Sequence, residues 1–306
     1  MKKIAFIADP IPQMKSHKDT SFALIRAALK LGIEVYHIDQ NDIDLQQDKA
    51  VAECALLKLE NDQQIIIKKD VSMQLSEFKQ IWIRKDPPFD RRYFYTSLQC
   101  DYVGNNTTIV NHPQILRDWN EKLAAHYYPE YQPKTFVSLN KTRIIHFIET
   151  IEEAVLKPID GFGGKGILFT NKKDPKILEK LSEITKDFSE KIIVQEAVPE
   201  ADQGDKRVLI FNGKVLGAIL RVHKEGSKIN NLDAGGTAVK TKLSAKQKEI
   251  SERLAKDFLK RGIYFAGIDF LGDFLIEINI TSPTGLQELE KFEGNDFSKE
   301  IMATEL

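Results

Sequence analysis

The sequence predicts a mixed fold in which an α/β lobe is followed by α+β lobes, and three observations support this. The chain opens with a strand, a helix and a second strand over residues 2–38, the pattern of a βαβ unit with a parallel sheet. A glycine-rich segment at 161–166 lies between two apolar runs. Asn212-Gly213 and Gly272-Asp273 also each separate two apolar runs, which indicates antiparallel hairpins. A chain of 306 residues has room for two or three such lobes.

The first lobe begins with strands at 2–8 and 34–38 on either side of a helix at 21–31. Asp19 or Thr20 can cap this helix, and Gly32 ends it. The elements expected next are a hairpin over 51–68, a strand at 80–84, a helix at 91–103 and a strand at 107–111. A helix at 113–127 is predicted to carry the chain out of the lobe.

The rest of the chain mixes short strands with helices. Strands are expected at 134–138, 154–159, 167–170 and 191–195, and helices at 143–150 and 175–188. After the hairpin at Asn212-Gly213 comes a polar, glycine-containing loop at 223–237. A helix at 244–261 follows, with Ser244 and Gln247 as its capping box. Two apolar strands around Gly272-Asp273 complete the pattern.

The composition excludes several classes of partner. A net charge of -1 gives no reason to expect a nucleic acid or an anionic membrane as partner. Cys54 and Cys100 form no CxxC motif, so neither a disulfide framework nor a zinc ribbon is indicated, and a reducing, cytoplasmic setting is expected. The apolar run after the first two lysines stops at Asp9-Pro10 and is too short for a signal peptide.

Three polar residues interrupt the last apolar strand pair: Asp269, Glu277 and Asn279. Glu277 and Asn279 share a face of their strand, and carboxylate and amide oxygens suit Mg²⁺. A strict two-residue loop at Gly272-Asp273 would put Asp269 on the opposite face. If all three residues serve one metal site, the turn must hold an odd number of residues or carry a β-bulge. The alternative is a sheet edge whose charges face water.

Gly161, Gly163 and Gly166 satisfy the pattern G-x-G-x-x-G. A β-like run follows this pattern, so the dinucleotide-binding strand-loop-helix motif is excluded. A phosphate-binding P-loop is excluded because no Gly-Lys-Ser/Thr occurs there, and the absence of HRD and DFG motifs argues against a protein kinase. The remaining interpretations are a lid whose backbone N–H groups cover a polyphosphate and a plain hairpin loop. Lys157 and Lys122 are candidate phosphate-binding cations, although Lys122 could equally be a solvated helix lysine.

Eight segments together resemble one protein family. They are ADPI at 8–11, DTSFAL at 19–24, RKDPPFD at 84–90, LRDWNEKL at 116–123, LKPIDGFGG at 156–164, GDKRVL at 204–209, LDAGG at 232–236 and GIDFLGDFLIEINITSPTG at 267–285. They look like the bacterial glutathione synthetase family of the ATP-grasp superfamily and run in its order across nearly the whole chain. The resemblance implies an ATP-grasp fold preceded by an N-terminal βαβ domain. The expected domains are residues 1–118, a central lid domain at 119–198 and a metal-binding C-terminal domain at 199–306.

The resemblance also implies roles for individual residues. ATP would contact residues of the lid and the cleft, namely Lys122, Lys157, Gly161, Gly163, Gly164, Gln195, Glu196, Ala197, Val198 and Asp205. Arg207 and Arg221 would act in catalysis, near the transferred phosphate and the peptide end respectively. Asp269, Glu277 and Asn279 would hold Mg²⁺, as two ions, with Mn²⁺ as an alternative. The residues expected at the peptide substrate are Ser21, Arg84, Asp86, Ser282, Pro283 and Thr284.

The activity that this resemblance implies is ATP-dependent synthesis of an amide bond through an acyl phosphate. The expected substrates are γ-glutamylcysteine, glycine and ATP, and the family suggests a homotetramer. The family usually has arginines where this chain has Ile229, Thr237 and Gln287, at the acceptor end. Two alternatives therefore stay open: a related carboxylate-amine ligase with another acid or amine, and a nucleotide-binding protein without catalytic activity.

Overall fold

A computed structural model describes residues 2–61, 63–161, 164–223 and 236–306. The N-terminal elements are β1 (Lys3–Ala8), α1 (Thr20–Lys30), β2 (Glu34–Ile38), β3 (Ile43–Gln46), β4 (Lys49–Glu60), β5 (Gln64–Gln74), β6 (Gln80–Arg84), α2 (Arg91–Gln99), β7 (Thr108–Val110) and α3 (Pro113–Asp118). The sheet has the order β3-β4-β2-β1-β6-β7, and β5 pairs with β4. Strands β2, β1, β6 and β7 are parallel, which confirms the predicted βαβ opening.

The start and end of α1 follow directly from its sequence. The Asp19 side chain accepts a hydrogen bond from the Phe22 N–H at 3.1 Å, as expected of an N-cap. Gly32 has φ +73°, a left-handed conformation that glycine adopts without strain, so the helix ends there. Ser21, in the first turn of α1, accepts a hydrogen bond from Arg84, the last residue of β6, so α1 begins beside the C-terminal end of that strand.

The central elements are β8 (Thr135–Ser138), α4 (Lys141–Glu149), β9 (Ala154–Pro158), β10 (Leu168–Thr170), α5 (Ile177–Ile184) and β11 (Ile192–Glu196). They form an antiparallel sheet in the order β10-β9-β11-β8. Ile144, Leu156 and Leu181 are among the residues of a separate apolar core beneath this sheet. A lobe with its own core can move as a unit relative to the rest of the protein.

The C-terminal elements are β12 (Asp205–Phe211), β13 (Lys214–Val222), β14 (Thr237–Lys240), α6 (Ala245–Lys260), β15 (Phe265–Leu271), β16 (Phe274–Asn279), α7 (Leu286–Glu293) and α8 (Phe297–Ala303). The antiparallel sheet has the order β14-β13-β12-β15-β16. Asn212 and Gly213 have φ +46° and +73°, the values of the predicted hairpin turn. The Ser244–Gln247 capping box is also present.

The N-terminal and C-terminal sheets pack against each other through shared cores. Trp82 of β6 lies 6.2 Å from Phe211 of β12 and 6.4 Å from Phe265 of β15, measured between ring centroids. Asn111 joins the same two sheets through its side chain. Its amide donates to the carbonyls of Phe265 and Ile280 at 2.7 and 2.6 Å. Its oxygen accepts from the N–H groups of Tyr264 and Phe265 at 2.7 and 2.8 Å, so the buried side chain is fully paired.

The helix predicted at 113–127 is wrong in its second half. α3 ends at Asp118, and Trp119 is extended with φ −114° and ψ 113°. The Asn120 side chain accepts from the N–H groups of Lys122 and Leu123 at 3.0 and 3.2 Å and so begins a new turn. Lys122 therefore lies in this turn instead of on a helix. The predicted loop at 223–237 lies largely outside the described residues, and Thr237 begins strand β14.

Candidate functional site

The strand pair that carries the predicted metal ligands contains a β-bulge. Leu271 pairs with Phe274 and Phe270 with Leu275, as a two-residue turn requires. The register then shifts at Ile276, so that Asp269 lies opposite Glu277. Asn279 is opposite Gly267, and its amide donates to the Asp269 carboxylate at 3.2 Å. The bulge therefore brings Asp269, Glu277 and Asn279 to one face of the sheet, as the sequence argument required.

Two arginines hold Asp269 from the neighbouring strands. Arg207 donates from Nε and Nη2 to the two carboxylate oxygens at 2.5 and 2.7 Å, and Arg221 donates to Oδ2 at 2.8 Å. Arg221 also pairs with Asp205 through Nε at 3.2 Å. Burial acts to raise the pKa of Asp269, but Arg207 and Arg221 outweigh it and leave the pKa below its ordinary value. Asp269 is therefore the centre of a buried network of alternating charges.

Gly267 makes room for this network on β15. A Cβ atom placed there would lie 2.8 Å from Cδ of Arg207 and 3.0 Å from Cβ of Pro283. The arginine side chain thus lies against bare backbone, and Pro283 packs beside it. Any larger residue at position 267 would displace one of the two.

Lys122 lies in the turn that faces Glu277. Its Nζ donates to Glu121 Oε1 at 2.8 Å and lies 3.8 Å from Glu277 Oε1, and it also donates to the Gly161 carbonyl. Burial lowers the pKa of Lys122, but the charges of Glu277 and Glu121 more than offset this and the pKa is raised. Burial and the neighbouring Glu277 raise the pKa of Glu121. Lys122 thus connects the glycine-rich loop with Glu277 on β16, and its ammonium group stays charged.

Lys157 is on β9, inside the cleft between the central and C-terminal sheets. Its Nζ donates to Gln195 Oε1 on β11 at 2.8 Å, and the Gln195 amide donates to the Thr135 hydroxyl at 2.9 Å. Burial lowers the pKa of Lys157 to about 8; Glu277 opposes this shift and Lys122 adds to it. The residues lining this part of the cleft include Lys122, His126, Lys157, Gln195 and Ile276. Lys157 is therefore a buried cation between the central and C-terminal sheets.

The glycine-rich segment joins β9 to β10 in an antiparallel hairpin, as predicted. A Cβ atom on Gly161 would lie 2.6 Å from the Pro158 ring, so only glycine fits there. Gly164 has φ +77°. Gly163 lies outside the described residues.

The last residue of β11 and the residue after it have backbone N–H groups that are already paired. The Glu196 N–H donates to the Lys134 carbonyl at 2.8 Å, and the Ala197 N–H donates to the Glu153 carbonyl at 2.9 Å. Val198 is buried at the end of this stretch. The Gln195 side chain is bound to Lys157 and Thr135, so it positions the lysine.

Several residues predicted at the substrate end lie where the N-terminal and C-terminal sheets meet. Arg84, the last residue of β6, donates to the Ser21 hydroxyl at 3.1 Å and to the Pro283 carbonyl at 3.0 Å. Asp86 lies two residues after Arg84, and its N–H donates to Oδ2 of Asp9 at 3.0 Å. Arg207 donates to the Thr284 carbonyl at 3.4 Å. The fold thus brings Ser21, Arg84 and the 282–284 segment together, although they are far apart in sequence.

Gln287, where the family resemblance suggested an arginine, has a structural role here. Its amide donates to the carbonyls of Asp19 and Ser16 at 2.6 and 3.2 Å and so ties α7 to the start of α1. Thr237 is exposed at the start of β14. Ile229 lies outside the described residues.

Sequence reasoning missed three residues of the cleft: Glu121, His126 and Thr135. Glu121 stands next to Lys122 in LRDWNEKL, but an acidic residue beside a lysine resembles an ordinary surface pair. His126 and Thr135 line the cleft only because the chain turns at Asn120 and then enters β8. His126 and Thr135 can be identified as cleft residues only from the conformation of the chain between Asn120 and β8.

The side chains of Asp269, Glu277 and Asn279 on β15 and β16 fit Mg²⁺ chemically, since carboxylate and amide oxygens are hard ligands. Within the ranges that the structure describes, no group of three or more His, Cys, Asp or Glu side chains could hold a metal. Two carboxylates and one amide lie together instead, with Glu277 a quarter exposed and Asp269 bound to arginines. Glu277 and Asn279 are thus the more accessible of the three.

Comparisons with known proteins identify the family of the chain. Residues 2–117 match the family model of the prokaryotic glutathione synthetase N-terminal domain, and residues 121–294 match that of the prokaryotic glutathione synthetase ATP-grasp domain. The chain is 35% identical over 301 residues to a glutathione synthetase of Prochlorococcus marinus subsp. pastoris, covering 98% of this chain and 97% of the relative. It is 35% identical over 294 residues to one of Vibrio parahaemolyticus, covering 95% and 93%.

Among solved structures, the D-cycloserine synthetase DcsG superposes with a TM-score of 0.66 at 15% identity. The match covers 98% of this chain and 97% of DcsG. At that identity the likeness shows the fold alone. Together with the two family-model matches, it confirms the predicted ATP-grasp fold preceded by an N-terminal domain.

Proposed function

The chain belongs to the prokaryotic glutathione synthetase family and is an ATP-dependent ligase of glutathione synthesis, and we propose that it joins γ-glutamylcysteine to glycine through an acyl phosphate. One observation carries the assignment of the site: the bulge at Ile276 brings Asp269 and Glu277 opposite each other, and Oε1 of Glu277 lies 3.8 Å from Nζ of Lys122. Anionic and cationic groups thus face each other where a metal-bound polyphosphate would lie.

ATP is proposed to bind between the central and C-terminal sheets. Lys157 and Lys122 would contact its phosphates, and the loop containing Gly161, Gly163 and Gly164 would cover them. The backbone of Gln195, Glu196, Ala197 and Val198 would line the adenine pocket. Because two N–H groups of this stretch are already paired, the carbonyl of Ala197 and the N–H of Val198 would remain for the base. Asp205 would lie near the ribose.

The central lobe is proposed to move as a unit to admit the nucleotide, because Lys157 is buried and the lobe has its own core. Lys122 and Asn120 donate hydrogen bonds to the Gly161 and Ile159 carbonyls of the glycine-rich hairpin. Polar contacts of this kind can break when the lobe moves.

ATP-grasp ligases use ATP with a divalent metal, and we propose that Mg²⁺ is the ion here, in two sites, with Mn²⁺ as a substitute. Glu277, Asn279 and Asp269 would hold it. When bound, the metal would supply positive charge that neutralises the phosphates. Asp269 would exchange at least one contact with Arg207 or Arg221 for the ion.

The proposed reaction has two steps. The carboxylate of the cysteine residue in γ-glutamylcysteine attacks the γ-phosphorus of ATP, and the bond to the ADP oxygen breaks. The glycine amine then attacks the acyl carbon, and phosphate leaves with the bonding electron pair and takes up the proton that the amine loses. Arg207 and Arg221 would stabilise the developing negative charge. Water must be excluded meanwhile, because the acyl phosphate would otherwise hydrolyse.

The peptide substrate is proposed to lie against Ser21, Arg84, Asp86, Ser282, Pro283 and Thr284. We also propose the domain division at 1–118, 119–198 and 199–306, since each region contains one of the three sheets. A homotetramer is proposed from the family. A cytoplasmic setting is proposed from the reaction's need for ATP and from the free, buried Cys54 and Cys100. None of the described helices is long and apolar enough to cross a membrane.

An assay of phosphate release tests the proposal. Purified protein with ATP and Mg²⁺ should release phosphate only when γ-glutamylcysteine and glycine are both present, and glutathione should form in equal amount. Release with a different acid or amine, but not with this pair, would favour a related ligase. Nucleotide binding without phosphate release for any pair would favour a non-catalytic protein.

A further inference from the structure

The chain between α3 and β8 is attached to the end of α6 by stacked side chains. Trp119 and Tyr127 stack with their ring centroids 5.2 Å apart and their planes 17° apart. The guanidinium carbon of Arg261, the residue after α6, lies 5.4 Å from the centre of the Trp119 ring and 5.8 Å from that of Tyr127. A guanidinium at such a distance is attracted by aromatic rings. Arg261 therefore contacts both ends of the segment 119–127.

A carboxylate in the last turn of α6 holds the same arginine. Asp257 Oδ2 accepts a hydrogen bond from Nε of Arg261 at 3.0 Å and another from the Tyr128 hydroxyl. The side chains of Arg261 and Asp257 are 41% and 32% exposed, so the ion pair by itself contributes little to stability. Its geometry is specific, however, because one oxygen joins Arg261 to Tyr128. We call Trp119, Tyr127, Tyr128, Asp257 and Arg261 the α6 clamp.

The segment that the α6 clamp holds carries Lys122 and lies along β16. The Glu121 carbonyl accepts a hydrogen bond from the N–H of Ile278, the residue after Glu277, at 2.9 Å. Nζ of Lys122 lies 3.8 Å from Oε1 of Glu277. Between its two ends the segment is a turn closed by hydrogen bonds to the Asn120 side chain, and it belongs to no sheet. The position of Lys122 therefore depends on how the ends of this turn are attached.

A cation that contacts a polyphosphate must be placed to within a fraction of an ångström, and functional side chains are placed most exactly when a rigid element supports them. α6 is the longest helix among the described residues, and the α6 clamp connects its end to the turn. We propose that Arg261 is a positioning residue, which holds the segment 119–128 so that Lys122 faces Glu277 and the phosphates of ATP. This inference deepens the proposed function and rests on its assignment of Lys122 to ATP.

Arg261→Gln tests the positioning, because it removes the guanidinium that contacts both rings and Asp257. Steady-state phosphate release should show kcat/KM for ATP lowered about tenfold, since a misplaced lysine loses much of its contact with the phosphates. The KM for γ-glutamylcysteine should stay within about twofold of wild type.

Arg253→Gln is the matched control for this experiment. Arg253 is also on α6, where Nη1 lies 3.2 Å from Glu130 Oε1 and the guanidinium carbon lies 5.3 Å from the centre of the Tyr131 ring. It thus makes the same two kinds of contact as Arg261, but with residues that follow the segment 119–128. Its kcat/KM for ATP should stay within about twofold of wild type.

A double-mutant cycle separates positioning from a general loss of stability. Lys122→Met should itself lower kcat/KM for ATP. Adding Arg261→Gln to Lys122→Met should have little further effect, because the arginine acts through the lysine. A merely structural role would make the two effects add. Additive effects, or equal kcat/KM for ATP in Arg261→Gln and Arg253→Gln, would overturn the proposal.

Chemical labelling tests the positioning without reference to the reaction. An amine-reactive acylating reagent with mass spectrometric detection reports the accessibility of each lysine, and Lys122 and Lys157 are both 7% exposed in the ligand-free protein. Lys122 should be labelled about fivefold faster in Arg261→Gln than in wild type or Arg253→Gln, because a loosened segment opens more often. Labelling of Lys157 should not change, since Gln195 on the neighbouring strand binds it.

The two kinds of measurement distinguish failure of this inference from failure of the proposed function. If wild type releases no phosphate with γ-glutamylcysteine and glycine, or if Lys122→Met has a wild-type kcat/KM for ATP, the corresponding part of the proposed function fails. The labelling rates then decide the role of Arg261. Faster labelling of Lys122 in Arg261→Gln alone would support it, and equal labelling in wild type and both arginine variants would refute it.

Discussion

Arg207 donates two hydrogen bonds to Asp269, from Nε and Nη2, at 2.5 and 2.7 Å across the paired strands β12 and β15. Both side chains are nearly inaccessible to water, and Arg221 binds the same carboxylate. Asp269, which is proposed to bind the metal, is therefore paired with Arg207, which is proposed to stabilise the transferred phosphate. Metal binding at Asp269 would free Arg207 or Arg221 to bind the substrate.

Asp269→Asn should lower the free energy of unfolding by about 3–5 kcal/mol, because it leaves two buried arginines without their shared carboxylate. The measurement is denaturant unfolding. Asp101→Asn is the control, since the Asp101 side chain is 38% exposed where it pairs with Arg117 at 2.7 Å, and the variant should lose about 1 kcal/mol or less. Equal losses in the two variants would contradict the buried network.

The same substitution should change how stability depends on pH. The pKa of Asp269 is lowered in the folded protein, so its contribution is present above the unfolded value of about 3.9 and is lost as the pH falls through the folded pKa. Wild type should therefore lose more stability below about pH 4 than Asp269→Asn does. If the unfolding free energies of wild type and Asp269→Asn changed with pH in parallel, Asp269 would not contribute to the pH dependence of stability.

Glu277→Ala should lower kcat roughly 100-fold or more, with a Tm close to that of wild type. Glu277 is a quarter exposed and its nearest cation, Lys122, is 3.8 Å away, so the fold loses little. Phosphate release and Mn²⁺ titration measure activity and metal affinity separately. Glu252→Ala, at an exposed helix position, is the control. Wild-type turnover or unchanged Mn²⁺ affinity in Glu277→Ala would refute the metal assignment.

Lys157 should take up a proton when ATP binds at pH 8–9. Its pKa is about 8 without ligand because of burial, and the phosphates would raise it. Calorimetry of ATP binding in buffers of different ionisation enthalpy measures this uptake. It should disappear in Lys157→Met and persist in Lys172→Met, since Lys172 is exposed. Equal uptake in both variants would exclude Lys157 as its source.

The lowered pKa of Lys157 also determines how the stability of the ligand-free protein changes with pH. A lysine with a folded pKa below its unfolded value destabilises the protein while it is charged. The ligand-free protein should therefore gain stability from this group as the pH rises from about 8 towards 10.5. Lys157→Met should be more stable than wild type at pH 7, and this difference should shrink over that interval.

Asn111→Ala should lower the free energy of unfolding by about 3 kcal/mol or more, because four hydrogen bonds between the N-terminal and C-terminal sheets are lost and their backbone partners stay buried. Denaturant unfolding measures the loss. Asn105→Ala changes an exposed asparagine and should have almost no effect. A small loss in Asn111→Ala would show that water replaces the side chain.

Local patterns were sufficient to predict most helices and strands. Asp19 and Gly32 delimit α1, and Ser244 with Gln247 caps α6. Asn212-Gly213 forms the turn between β12 and β13. Sequence alone predicts these features because each signal acts within a few residues. The helix prediction failed at Trp119 because the competing Asn120 cap was overlooked. Strands β3 and β14 and helices α7 and α8 were not predicted.

The sequence by itself determined that Asp269, Glu277 and Asn279 could share one face only if a bulge or an odd-numbered turn lay between them. Only the tertiary structure decided that it is a bulge, at Ile276, because a one-residue shift depends on pairing energies along the whole hairpin. It also decided that Arg207 and Arg221 bind Asp269 and that Arg84 meets Pro283. Such contacts join residues far apart in the chain, and packing of the two sheets, rather than any local pattern, brings them together.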